Sequence, residues 1–163
     1  MTADLESLDA TARRVIDTNH YMTLATVNEN GRPRVSPVYF TPARYTAFYW
    51  VSSPDARHSR NIEARPDIEI VIFDSSVPVG ETAAVYVGAQ AHQVADDELD
   101  PLIPEAFRTT QGARAFARVE LQGKAKLRLY VALALTTEVH VPGRHPLNEG
   151  GIDVRMPADP ARG

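Results

Sequence analysis

Arg57, His58 and Arg60 stand within four residues of each other, one residue after Ser53-Pro54-Asp55. Ser53 is a good helix N-cap, Pro54 suits the first helical position, and Asp55 complements the dipole in the first turn. The three potential cations behind them do not. At the positive end of a helix each is unfavourable by a few tenths of a kcal/mol, up to about 1. A bound anion reverses the sign, because free backbone N–H groups and arginine forks together make a phosphate site. The other reading of the same spacing is a basic, solvated helix face that Asp55 neutralises.

A strand must deliver this helix. Phe48, Tyr49, Trp50 and Val51 favour strand, so residues 46–52 are expected to run as a buried strand into a helix over 54–64, which ends before Pro66. Upstream, Leu5, Leu8, Ala12, Val15 and Ile16 recur at helical spacing and predict an amphipathic helix over 3–19. A first strand follows at Tyr21–Val27, then a hairpin turn at Asn28–Gly31 with its Asn-Gly pair. Arg34–Phe40 is the second strand, and Thr41–Arg44 turns into the third. Asp67–Phe73 is the fourth, Ala83–Val94 a long fifth, and Lys126–Val141 a long sixth in which Leu129, Val131, Leu133 and Leu135 alternate with Arg128, Tyr130 and Ala132. Between the last two, a helical start from Asp96 is broken by Pro101 and Pro104, and 105–118 is weakly helical. Pro and Gly thicken after Pro142, which reads as a tail.

Six strands in mostly hairpin connection, with short helices at the joints, predict one mainly β domain over 1–141, a small antiparallel barrel, followed by a tail over 142–163. The 163 residues are enough for one sizeable core, and 44 % of them are apolar. There is no cysteine, which excludes disulfides, thiolate metal sites and cysteine nucleophiles. A net charge of −4 does not suggest nucleic acid as a partner. No apolar run is long enough to span a membrane, and no signal pattern opens the chain, so a cytoplasmic protein is expected.

The order GRPRVSPVYF, FYWVSS and DARHSRNIEARPDIEIVIF resembles the pyridoxamine 5′-phosphate oxidase-like family of FMN-binding split barrels, over roughly Tyr21 to Val94. The resemblance implies a six-stranded antiparallel split β-barrel with FMN as cofactor. In that family a segment S-R-K-x-x-x-L holds the flavin phosphate. Here Ala56, Arg57 and His58 occupy the first three places, so Arg57 carries over directly, His58 replaces lysine as a pH-dependent donor, and Ala56 offers no side-chain bond. Val35, Ser36, Pro37 and Val38 match the strand whose backbone lies along the flavin ring, and Val51 and Ser52 match a strand-end pair that also contacts it. Arg60 completes the candidate cofactor set, with Arg34 on the facing strand as an alternative anchor. Ala84 stands near the place of a flavin-contacting Gln, and the substrate motif Arg-Leu-x-Pro of the true oxidase is absent. The resemblance therefore points to the flavin-reductase-like or deazaflavin-using branch rather than to the oxidase.

No residue stands out as an acid, base or nucleophile, so no catalytic side chain is named. This suits flavin chemistry, where the cofactor carries the redox step. Glu138 and His140 share a strand face without a third ligand, so no metal is expected. Tyr49 and Trp50 lie on opposite faces of one strand, and only one of them is expected to face the core. The expected protein is a homodimer with a flavin at each of two inter-subunit clefts, acting on a small-molecule substrate with a reduced nicotinamide donor. A deazaflavin-dependent reductase on the same fold, or a non-catalytic flavin-binding protein, are the alternatives.

Overall fold

A computed structural model describes residues 7–108 and 114–162. The first described element is helix α1, Leu8–Thr18, which starts later than the expected 3–19 because Ser7 caps it, its hydroxyl accepting from the Ala10 N–H at 3.2 Å; residues 3–6 of that expectation lie outside the described residues. The apolar stripe of α1 buries Ala12, Val15 and Ile16, as the spacing predicts. Strands β1 (Tyr21–Val27) and β2 (Pro33–Tyr39) form the first hairpin. The turn between them closes with the Gly31 N–H donating to Asn28 O at 2.8 Å, and Gly31 takes a φ of +81°. That backbone is why the Asn-Gly pair is there.

The second hairpin differs from expectation. Thr41–Ala43, expected as part of a turn, is a short strand, β3, and the turn into β4 (Ala47–Ser52) is made by residues 44–46. Arg44 and Tyr45 both adopt positive φ, 51° and 57°. Such a backbone costs non-glycine residues about 1 kcal/mol or more each. Both side chains are engaged. Arg44 pairs with Glu105 at 2.9 Å, and the Tyr45 hydroxyl donates to Asp17 of α1 at 2.8 Å.

Helix α2 (Arg57–Ala64) leads into β5 (Asp67–Phe73), whose alternation is clean, with Ile68, Ile70 and Ile72 buried. Strand β6 (Ala84–Gln93) bulges at Gly88/Ala89 against β7 (Arg128–Val141). A Cβ on Gly88 would sit 2.6 Å from Thr136 Oγ1, so no larger residue fits there unshifted. Helix α3 (Leu99–Ala106) carries Pro101 and Pro104 through instead of breaking. Pro101 falls in the first turn, where its missing N–H is no loss. Of the weak helix expected over 105–118, residues 109–113 lie outside the described residues, and 118–120 make a single 3-10 turn. Within the stretch read as a tail, Val154–Pro157 pairs with β7 as β8. Beyond it, Arg13 of α1 donates to Pro160 O and Arg162 O, both at 3.2 Å.

All eight strands belong to one antiparallel sheet, in the order β2-β1-β5-β6-β7-β4-β3 with β8 added on β7. It is the curled sheet of a split barrel, as the sequence predicts, with β3 and β8 beyond the expected six strands.

The core is double. Inside the barrel, Trp50 stacks on Tyr130 with ring centroids 5.5 Å apart, among Met22, Leu24, Phe48 and Ile70. Outside it, α3 covers a second cluster with Tyr49, Leu99, Leu121, Leu129 and Val131. Both Tyr49 and Trp50 are therefore buried, at 4 % and 2 % exposure, which corrects the expectation that one would face out. The same covering explains β7. Its leucine face is outside the barrel, buried where α3 lies over it and exposed at Leu133 and Leu135.

Candidate functional site

The start of α2 is three residues later than its sequence signals imply. Ser53 does not cap the helix. Its hydroxyl accepts from the Asp55 N–H and its carbonyl from the Ala56 N–H, both at 3.1 Å, so Ser53–Ala56 is a turn. The N-cap is Ala56, which has no side chain to cap with. Arg57 is consequently the first helical residue, not the fourth, and His58 and Arg60 follow within the first turn. The orphan N–H groups of a helix start sit beside these cations with no capping side chain.

The buried face of α2 aims this end of the helix. Asn61, 4 % exposed, donates through Nδ2 to Thr26 Oγ1 at 2.9 Å and to Asn28 Oδ1 at 3.0 Å. These bonds tie the helix to the end of β1 and to the hairpin turn. The result is a polar pocket of about 340 Å³ lined by Asn28, Glu29, Asn30, Arg34 and Arg57. Arg34 reaches it from the exposed start of β2, where it lies opposite Thr26 and shares its face. Neither Arg34 nor Arg57 has an ion pair among the described residues, and Arg57 is exposed.

The other predicted phosphate residues divide. Arg60 pairs with Asp55 at 3.2 Å on the surface and does not line the pocket. His58 is half-buried and shares a 2.9 Å hydrogen bond between Nε2 and Ser52 Oγ. Burial, and secondly the Arg34 charge, hold its pKa below the usual histidine value. In the free protein His58 is thus a hydrogen-bonding group whose charged form is disfavoured by burial and by the guanidinium of Arg34.

The predicted ring contacts occupy the adjoining walls. β2 is an edge strand, paired only with β1, so one side of its backbone is unpaired from Val35 through Val38. Pro37, without an N–H, is tolerated because it sits on that edge. Ser36 and Val38 share the inward face with Leu24 and Met22, and Val35 and Pro37 the outward one. Val51 and Ser52 end β4, which contacts β2.

Sequence reasoning missed a second, larger cavity beside these walls, of about 510 Å³. Tyr39, Tyr49 and Val51 line one side, Phe107 and Phe116 another, and Leu127 and Leu129 its floor. Phe107 and Phe116 pack ring to ring with centroids 5.7 Å apart. The legible signal was two phenylalanines in a proline-broken segment whose helix was too weak to account for them. Arg155, on β8, lies with its guanidinium 3.6 Å from the centroid of the Tyr86 ring and belongs to the packing of β8.

The fold has many relatives of known structure. The chain superposes on a heme binding protein from Mycobacterium smegmatis with a TM-score of 0.67 at 21 % identity, covering 93 % of this chain and 58 % of that one. It therefore spans little more than half the length of that protein. A heme storage protein from Vibrio cholerae gives a TM-score of 0.63 at 23 % identity, over 78 % of this chain and 89 % of the other. An FAD-binding protein from Mesorhizobium loti gives 0.54 at 16 % identity, over 78 % and 90 %. At these identities the likeness is one of fold. No curated protein matches the chain in sequence. The family model for pyridoxamine 5′-phosphate oxidase matches residues 8–139, from α1 into β7, and the chain belongs to that family.

Proposed function

We propose that this chain is a flavin-binding oxidoreductase that anchors the phosphate of FMN at the start of α2 and acts on a small molecule. The observation that carries the reading is the convergence of Arg34 and Arg57, both without an ion pair among the described residues, on one pocket at a helix start that has no capping side chain. Two arginine forks and free N–H groups suit a dianionic phosphate. The residues present fit the group. Asn28 and Asn30 add side-chain amides at the rim, and Glu29 is the one carboxylate there. His58 supplies a hydrogen bond and, once an anion offsets the Arg34 charge, a proton.

The ring would lie between the edge of β2 and the end of β4, with Val35, Ser36, Pro37, Val38, Val51 and Ser52 as walls. When bound, FMN supplies hydride or electron transfer. The protein positions the ring, keeps water from one face and fixes the phosphate. A homodimer with two inter-subunit clefts accords with the outer sheet face, where Val35 is 67 %, Leu135 66 % and Tyr21 63 % exposed.

Titration of the purified protein with FMN and with riboflavin tests the reading, together with the absorbance of the protein as isolated. Tight FMN binding and weak riboflavin binding support it. A single band at shorter wavelength than flavin marks a deazaflavin in its place, and an intense Soret band marks heme. Nicotinamide-dependent turnover then separates an enzyme from a carrier.

A further inference from the structure

We infer that the 510 Å³ cavity outside β4 is a binding site for a small, flat, uncharged aromatic molecule, and that it rejects phosphorylated or otherwise anionic ones. Its size lies inside the range of about 300–1,000 Å³ typical of small-molecule sites. Its walls are rings. Tyr39 carries His20 nearly parallel to it, 15° between planes, and Phe107 and Phe116 face it from the α3 side. Such walls favour a planar guest through stacking and edge contacts.

Charge decides the class. Among the described residues of the lining the single arginine is Arg114, and it is engaged twice, paired with Glu120 at 2.8 Å and laid over the Phe116 ring at 4.2 Å. Glu120 is itself held in place, accepting from the Ala117 N–H at 2.9 Å. On the opposite wall the Tyr49 hydroxyl faces Glu105 at 3.4 Å, and Glu105 is already paired with Arg44. No unpaired arginine or lysine among the described residues of the lining is left for a phosphate or sulfonate, whose desolvation would go uncompensated, and the imidazole of His20 is stacked on Tyr39. The polar pocket contrasts with this, since among the described residues its two arginines have no ion pair and no aromatic ring lines the space.

Val51 belongs both to this cavity and to the proposed ring walls, so a guest here would lie beside a bound flavin. As a substrate assignment the inference rests on the flavin reading. As a binding site it does not.

Calorimetry on the cofactor-free protein with 2-naphthol and with 6-hydroxynaphthalene-2-sulfonate separates ring shape from charge. The neutral naphthol is expected to bind at least about tenfold more tightly than its sulfonate. Phe107→Ala and Phe116→Ala should each weaken naphthol binding by about 2- to 12-fold. Glu120→Gln, which releases Arg114, should tighten the sulfonate by about tenfold and leave the naphthol unchanged. The inference is overturned if the sulfonate or pyridoxamine 5′-phosphate binds wild type as well as naphthol does. It is equally overturned if no naphthol binding is seen, or if both phenylalanine variants bind it normally. FMN titrations on the same proteins keep the two ideas apart. Failure of FMN to bind wild type removes the flavin reading and leaves the naphthol result standing.

Discussion

Replacing Arg57 with alanine takes one unpaired guanidinium from the first position of α2 and leaves the packing of the helix alone. Arg57 is exposed, while the helix is held by Ser59, Asn61 and Ile62. The cofactor-free fold should therefore keep its stability within about 0.5 kcal/mol, with a slight gain allowed by removal of a cation from a positive helix end. Cofactor binding should respond quite differently. A charge-assisted bond to phosphate contributes about 1.5–3 kcal/mol, so FMN affinity should fall by about 10- to 150-fold. Arg34→Ala should give a loss of the same order. Because both side chains face one pocket, the double variant should depart from the sum of the two. Flavin fluorescence quenching measures each affinity, and a urea melt of the cofactor-free protein measures stability. Riboflavin, lacking the phosphate, is the control and should be nearly indifferent. The reasoning is refuted if Arg57→Ala binds FMN within about twofold of wild type. It is also refuted if the variant unfolds while its folded fraction binds normally, which would make Arg57 a structural residue.

His58 should make binding and folding depend on pH with opposite signs. Its pKa in the free protein is lowered by burial and by Arg34, so its stability contribution is complete above the unfolded value near 6.5 and is lost as pH falls from there toward the folded pKa. A bound phosphate reverses the Arg34 effect, so FMN affinity should rise over that same fall. His58→Gln should flatten both curves, and a wild-type affinity independent of pH between 5 and 8 would show that His58 takes up no proton with the cofactor. Asn61→Ala removes one buried and one part-buried hydrogen bond and should cost about 1–3 kcal/mol of stability, read as a lower melting temperature, and weaken FMN as the turn carrying Asn28 loosens. An unchanged melt would mean that the turn does not depend on Asn61. Sedimentation should find a homodimer burying more than about 2,000 Å² in total, and Val35→Glu on the exposed sheet face should shift it toward monomer without loss of the fold. A wild-type monomer at micromolar concentration sinks the assembly reading.

Strand alternation, the Asn-Gly turn and helical spacing are local properties, written in neighbouring residues. They sufficed for α1, the hairpin at Asn28–Gly31, the isoleucine face of β5 and the small antiparallel barrel. Arg57 was legible for the same reason: a cation at a helix start is a conflict visible over a few residues. Its place in the first turn was not, because Ser53-Pro54-Asp55 spells a cap and a tight turn equally well. What selects the turn is the docking of α2 through Asn61 onto Thr26 and Asn28, groups more than thirty residues away. The meeting of Arg34 with Arg57 has the same origin. Tyr49 and the leucine face of β7 look like one side of a single core until α3 covers them and makes a second. The aromatic cavity is more distant still from any local signal, since its walls come from β2, β4, β7 and the segments after α3. Periodicity reports which way one element faces. What it faces is decided by long-range packing, and both candidate pockets are made there.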